Sequence, residues 1–233
     1  MTGTARSEVL ARIRHASGAS SAESVAAELR ALGRAPSAAL PCDDLATAFL
    51  VKVLKNMGTV DCAKDRSSAV AAVSKYLYEQ HRTHRLVASN DQRLAAMPWR
   101  DAGVLPRFGA LEPGEAISMS YARLGIAEIG AIVTFTGKAN PAANNLLADN
   151  HVVLVDAADL VADMEAAWGK INAMMAQDGR PRGINFIAGP SSTADIEGKL
   201  VQGAHGPRQW HVILLAEDTE DRLGQARALH SPA

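Results

Sequence analysis

The sequence predicts an α/β protein built on a parallel sheet, with a helical arm at its N-terminus. Two observations carry that prediction. Short β-branched runs alternate with longer stretches whose apolar residues recur every three to four positions, the pattern of strands joined by crossover helices. Of 233 residues, 48% are hydrophobic and 21% charged, which is too apolar for a disordered chain and too interrupted by charge for a membrane protein.

Residues 4–16 place Val9, Leu10 and Ile13 at helical spacing among Arg6, Arg12 and Arg14, and a second helical stretch runs from Ala22 to Leu32 and stops at Gly33. These define an arm, residues 1–34, ahead of an α/β domain, residues 35–233. Asp43-Asp44 can open a helix carrying Leu45, Phe49, Val53 and Leu54, which Gly58 ends. A strand at Thr59–Ala63, a helix at Ser67–Gln80 and a strand at Arg85–Ala88 follow. Residues 98–113 are rich in Gly and Pro and read as irregular or edge structure. Beyond them, Ala131–Thr136 and His151–Val155 are strand candidates. Asp159–Gln177 is a long helix with Leu160, Met164, Trp168, Ile171 and Met175 on one face, and strands are expected at Ile184–Ala188 and Trp210–Leu215.

Composition limits the function. A formal charge of −1 gives no field to draw nucleic acid or anionic lipid, and 4% aromatic residues leave few stacking platforms for single strands. Cys42 and Cys62 form no CxxC pair, so thiolates of one chain cannot assemble an iron–sulfur cluster or structural zinc. No stretch approaches the roughly 18 apolar residues of a spanning helix, and no secretory signal opens the chain. The expectation is a cytoplasmic protein with reduced thiols, no nucleic-acid partner and no membrane span. Several sharper motifs fail. Gly198-Lys199 is followed by Leu200 and is no P-loop, GxGxxG and HExxH are missing, and Ser191 stands one residue short of a GxSxG elbow.

Three stretches join turn-forming glycines to polar groups beside a strand. In Gly189-Pro190-Ser191-Ser192-Thr193-Ala194-Asp195, the spacing of Ser192 and Asp195 fits a capping box, so a helix is expected to start there. Its amides and the hydroxyls of Ser191, Ser192 and Thr193 would face a carboxylate or phosphate. A hydroxyl cap without a ligand gives the same pattern. In Gly203-Ala204-His205-Gly206-Pro207-Arg208, His205 offers a group that titrates near neutrality and Arg208 a forked cation suited to an acidic small molecule; a solvated turn histidine is the plainer reading. In Gly125–Ala131, Glu128 can be a base, a nucleophile or an anchor for backbone amides.

The 189–197 and 203–208 runs, with the strand His211–Leu215 after them, resemble the LUD-domain family; Gly125–Ala131 and the helix Arg6–Arg14 resemble it more loosely. The resemblance implies a Rossmann-like parallel sheet similar to the ribose-5-phosphate isomerase, glucosamine-6-phosphate deaminase and CoA-transferase group, with ligands at the strand carboxyl ends. It also implies a bacterial cytosolic role in oxidising L-lactate, alongside partner subunits that carry the iron–sulfur clusters, with no cofactor and no metal in this chain itself. Two segments depart from the family pattern: Ile129-Gly130-Ala131 stands where Thr-Gly-Thr is usual, and Ala143–Ala148 lacks an expected arginine. Both changes lessen the capacity to hold an anion. The expected site is therefore Ser191, Ser192, Thr193, Asp195 and Arg208 for binding, with Glu128 and His205 for proton handling. A stand-alone enzyme for a phosphorylated or CoA-linked metabolite and a non-catalytic scaffold remain rival readings.

Overall fold

The computed structural model describes residues 3–18, 20–33, 36, 39–196 and 199–230. The chain divides into two units, Met1–Ser37 and Ala38–Ala233. The first holds two helices, α1 (Gly3–Ala16) and α2 (Ala22–Ala31), the second of them capped by Ser21, whose hydroxyl accepts the Ser24 N–H.

The second unit begins with α3 (Leu45–Lys55), β1 (Thr59–Ala63), α4 (Arg66–His81), β2 (Arg85–Ala88), α5 (Gln92–Ala95) and β3 (Leu105–Phe108). Asp44 caps α3, and Asp65 with Ser68 forms a reciprocal capping box on α4, so both helices start where a carboxylate satisfies otherwise orphaned N–H groups. Next come β4 (Ile117–Tyr121), β5 (Leu124–Ile126), β6 (Ala131–Thr136), α6 (Ala142–Leu146), β7 (Asn150–Asp156), β8 (Leu160–Val161), α7 (Met164–Asp178) and β9 (Gly183–Ile187). The chain closes with β10 (Ser192–Ile196), β11 (Lys199–Gln202), β12 (Gln209–Leu215) and α8 (Thr219–His230).

Among the described residues, six strands form a wholly parallel sheet in the order β1-β12-β7-β4-β2-β3. This is the predicted α/β class. Side chains alternate across it. Val60, Val153, Val212 and Leu214 face a core with Phe49 and Leu50 of α3, while Val152, Leu154 and Ile213 face one with Val70, Val73 and Leu77 of α4. A second sheet, β8-β5-β6-β9, is mixed, and packs Ile126 and Val133 against Ala167 and Ile171 of α7. The strands expected at 131–136 and 184–188 therefore exist but lie outside the parallel sheet.

One strand is added and two expectations are corrected. Ile117–Tyr121, which the sequence reading passed over, is a central strand buried along its whole length. Its polar residues are internally satisfied: Ser118 Oγ donates to the Asn144 carbonyl, and Ser120 Oγ lies 2.7 Å from His151 Nε2. The helix expected from Asp159 starts at Met164, because Asp163 is the cap and Leu160–Val161 pairs with β5. The helix expected at Ser192 is instead the first strand of a hairpin, β10–β11. Non-local backbone bonds extend the chain there: the Ser191 N–H donates to the Pro207 carbonyl, and the Gly203 N–H to the Ser191 carbonyl, each at 2.8 Å.

Candidate functional site

The two C-terminal turns are joined by Ser191. Besides its two backbone bonds across to Gly203 and Pro207, its hydroxyl accepts the His205 N–H at 3.3 Å, and Gly206 packs on its side chain. Gly189, at φ +103°, seats the first turn against the end of α3, where a Cβ would come within 2.3 Å of the Asn56 carbonyl oxygen. The turns thus meet, but not where they were expected. The 203–208 turn enters β12 of a parallel sheet, so it and what is bonded to it stand at the amino ends of the strands. The expectation of a site at the carboxyl ends is overturned for these loops. With no helix at Ser192, they also offer no helix terminus to an anion.

What they border is a cleft of about 440 Å³ along the starts of β1 and β12. Pro190, Gln202 and Arg208 line it from the turns, and Thr59, Asp61 and His211 from the sheet. Tyr76, Lys75 and Glu79 of α4 and Arg227 of α8 complete much of the wall. Arg208 is 68% exposed and stands 3.7 Å from Asp149; its aliphatic stem packs on Gly203, where any Cβ would collide with it. Ser192, Thr193 and His205 are not among the lining residues. His205 is exposed, Ser192 is exposed and Thr193 half-buried. The backbone of Asp195 lies in β10, while its side chain lies outside the described residues, as do Glu197 and Gly198.

His211 is the least expected member. Its side chain is 3% exposed, and its ring stacks on Tyr76 with centroids 4.0 Å apart and planes 9° from parallel. Nδ1 lies 2.8 Å from Thr59 Oγ1, whereas Nε2 has no hydrogen-bond partner among the described residues. Burial pushes its pKa down to about 3, so the imidazole is neutral at physiological pH. Burial also raises the Asp61 carboxyl above its ordinary value, against the pull of Lys75 and Arg227.

Glu128 belongs elsewhere. Its Oε2 accepts the Met164 N–H at 3.1 Å, at the positive start of α7. Beside it, the Ile129 carbonyl accepts from Asn56 Nδ2 at 2.7 Å, and Gly130, at φ +62°, lies so close to α3 that a Cβ would sit 2.5 Å from the Lys52 carbonyl carbon. The segment that departs from Thr-Gly-Thr is thus a packing contact on α3. The Asn140–Asn145 connection is likewise internal: Asn144 donates to the Gly109 carbonyl and to Ser89 Oγ, and accepts the Leu111 N–H.

The carboxyl ends of the sheet hold a second cleft, about 560 Å³, with Lys64, Arg66, Arg93, Tyr121, Asp156 and Arg222 on its walls. None of these was singled out from sequence, although their places just beyond β1, β4, β7 and β12 are where open α/β sheets bind ligands. Several of the polar groups here are already engaged. Arg93 forms a forked pair with Asp91 and lies 3.8 Å over the Tyr121 ring, Tyr121 donates to Asp156 at 2.8 Å, and Arg222 bonds Asp44 and the Glu217 carbonyl.

A parallel six-stranded sheet with helices on both faces and a smaller mixed sheet beside it define a Rossmann-like α/β fold. More narrowly, residues 116–215 match the LUD domain. The chain is similar to lactate utilization protein C of an Exiguobacterium species, 28% identical over 66% of this chain and 71% of that one. A Macrococcus caseolyticus protein of the same name is 28% identical over 68% of this chain and 74% of its own. Among solved structures, a DUF162 family protein from Deinococcus radiodurans shares the fold, with a TM-score of 0.53 and 18% identity over 74% of this chain and 96% of that one.

Proposed function

We propose that this chain serves lactate utilization by holding a small carboxylate in the cleft at the amino ends of β1 and β12, in the cytoplasm, beside partner subunits that carry the iron–sulfur clusters. The similarity to proteins named lactate utilization protein C supports the role. The observation that carries the site is the placing of three cations, Lys75, Arg208 and Arg227, on the walls of one cleft. Cationic side chains bind carboxylates through charge-assisted hydrogen bonds. In this reading Arg208 is the clamp and Ser191 positions it by tying the two turns together. The clusters belong to the partners because Cys42 and Cys62 are the only cysteines, and burial pushes the Cys62 thiol up to about 11, far from the thiolate that metals require.

Calorimetric titration with L-lactate tests this. Arg208→Ala should weaken binding at least fivefold, while Ser192→Ala, outside the cleft, should leave it within twofold. Equal affinity in the parent and Arg208→Ala would remove the cleft from the account. The rival enzymatic reading, with Glu128 as base, is weakened by the engagement of its carboxylate at the start of α7.

A further inference from the structure

Among the described residues, the two larger sheets have four edge strands, β1 and β3 on one and β8 and β9 on the other. An unpaired edge offers a row of backbone N–H and C=O groups to any other strand, and proteins blunt it with charge, proline or shortness. β1 carries Asp61, β3 carries Pro106 and Arg107, and β8 is two residues long. β9, Gly-Ile-Asn-Phe-Ile, has none of these devices. All five of its residues are half-buried, and α7 lies chiefly over β5 and β8, away from this edge. Trp168 stands beside it, 41% exposed, with its ring centroid 5.4 Å from that of Phe186. An exposed tryptophan of this kind is a common anchor of protein interfaces.

The order of side chains along β9 points to what covers the edge. Ile184 and Phe186 face the core built on α7, while Asn185 and Ile187 face the other way, where Asn185 donates to Thr136 Oγ1 at 2.9 Å. Laid antiparallel against itself about Asn185, the strand sets Ile184 against Phe186 twice on one face, an aliphatic–aromatic pairing that stabilises sheets. On the other face Asn185 meets its own copy, and Ile187 meets Gly183, where no side chain crowds it. The charges agree. Arg180 and Arg182, both exposed, stand just before β9, and Ala188-Gly189-Pro190 follows it. Antiparallel pairing places each Arg182 beside an uncharged Ala188, whereas parallel pairing would set the two Arg182 side chains together.

We propose that β9 is the contact between two copies of this chain, paired antiparallel about a two-fold axis at Asn185, so that the two four-stranded sheets become continuous. The interface is isologous: one strand supplies both sides, the commonest arrangement in homodimers. Trp168 of each copy flanks the Ile184–Phe186 pairs. Gly189, seated against Asn56, ends the pairing at Ile187 and keeps it clear of Pro190 at the cleft.

Sedimentation equilibrium on the full chain tests this. The parent should dimerise with a dissociation constant at or below about 10 μM. Ile184→Lys puts a charge opposite Phe186 at both ends of the pairing, and Trp168→Glu puts one at its border. Each should weaken the dimer at least about tenfold, with the circular dichroism of the parent retained. Asn185→Cys gives a readout that needs no loss of affinity. Under mild oxidation it should form a covalent dimer, because directly opposed residues of antiparallel strands lie within about 5.5 Å, a disulfide's reach. The parent, with Cys42 and Cys62 alone, should not. A parent that stays monomeric at about 100 μM would overturn the second copy as occupant, whether the edge is then bare or taken by a different protein. A dimer that both charged variants leave intact and Asn185→Cys does not cross-link would overturn the assignment to β9.

Discussion

Acid should destabilise this fold well before its carboxylates titrate. His151 is completely enclosed, with Nε2 on Ser120 Oγ and Nδ1 lacking a partner among the described residues, and burial pushes its pKa down to about 3, as it does for His211. The ordinary value is 6.5. A histidine whose folded pKa lies below its unfolded one binds fewer protons when folded, so stability is lost as pH falls through 6.5 and continues to fall towards 3. At pH 5 each ring costs about 2 kcal/mol, from roughly 1.5 pH units at 1.36 kcal/mol per unit, so the pair costs about 4 kcal/mol relative to pH 7. His81, also lowered by burial, acts in the same direction. Stopping at pH 5 keeps the window above the ordinary carboxylate range. Urea unfolding at both pH values measures the difference, and His151→Gln should recover about 2 kcal/mol of it. A loss under 1 kcal/mol, or imidazole resonances of His151 and His211 titrating near 6.5, would refute the reasoning.

One backbone contact, one open glycine and one helix start make further predictions. Gly189→Ala combines a left-handed φ with a collision against the Asn56 carbonyl and should cost about 3 kcal/mol, whereas Gly137→Ala, where a Cβ meets nothing, should be neutral within about 1 kcal/mol; thermal unfolding separates them. Glu128→Ala removes an acceptor at the start of α7 and should cost about 1 kcal/mol without changing L-lactate affinity. A loss of affinity there would instead return Glu128 to the site.

The elements that could be read from the sequence are those with local signals. Asp44 announces α3 because capping is settled within four residues, and β1 and β2 stand out between helical runs. β4 was missed because Ile-Ser-Met-Ser-Tyr alternates like a half-exposed strand, yet its serines are buried and bonded to Asn144 and His151. The capping-box pattern at Ser192 misled for the opposite reason: partners in the 203–207 turn draw Ser191 into extended backbone, and non-local bonds override a local preference. The site divides in the same way. Arg208 was visible as a cation in a Gly-Pro turn. Thr59 and His211 are 152 residues apart, and only the insertion of β12 between β1 and β7 makes them neighbours. No single-chain pattern carries that pairing.

The central claim concerns which end of the parallel sheet takes the ligand. Backbone amide shifts recorded during titration with L-lactate test it directly. The account predicts perturbations at Thr59–Asp61, at Lys75 and Tyr76, and at Arg208–His211 around the amino-end cleft. Perturbations gathered instead at Lys64–Arg66, Tyr121, Asp156 and Leu215–Glu217 would place the ligand at the opposite end and contradict it.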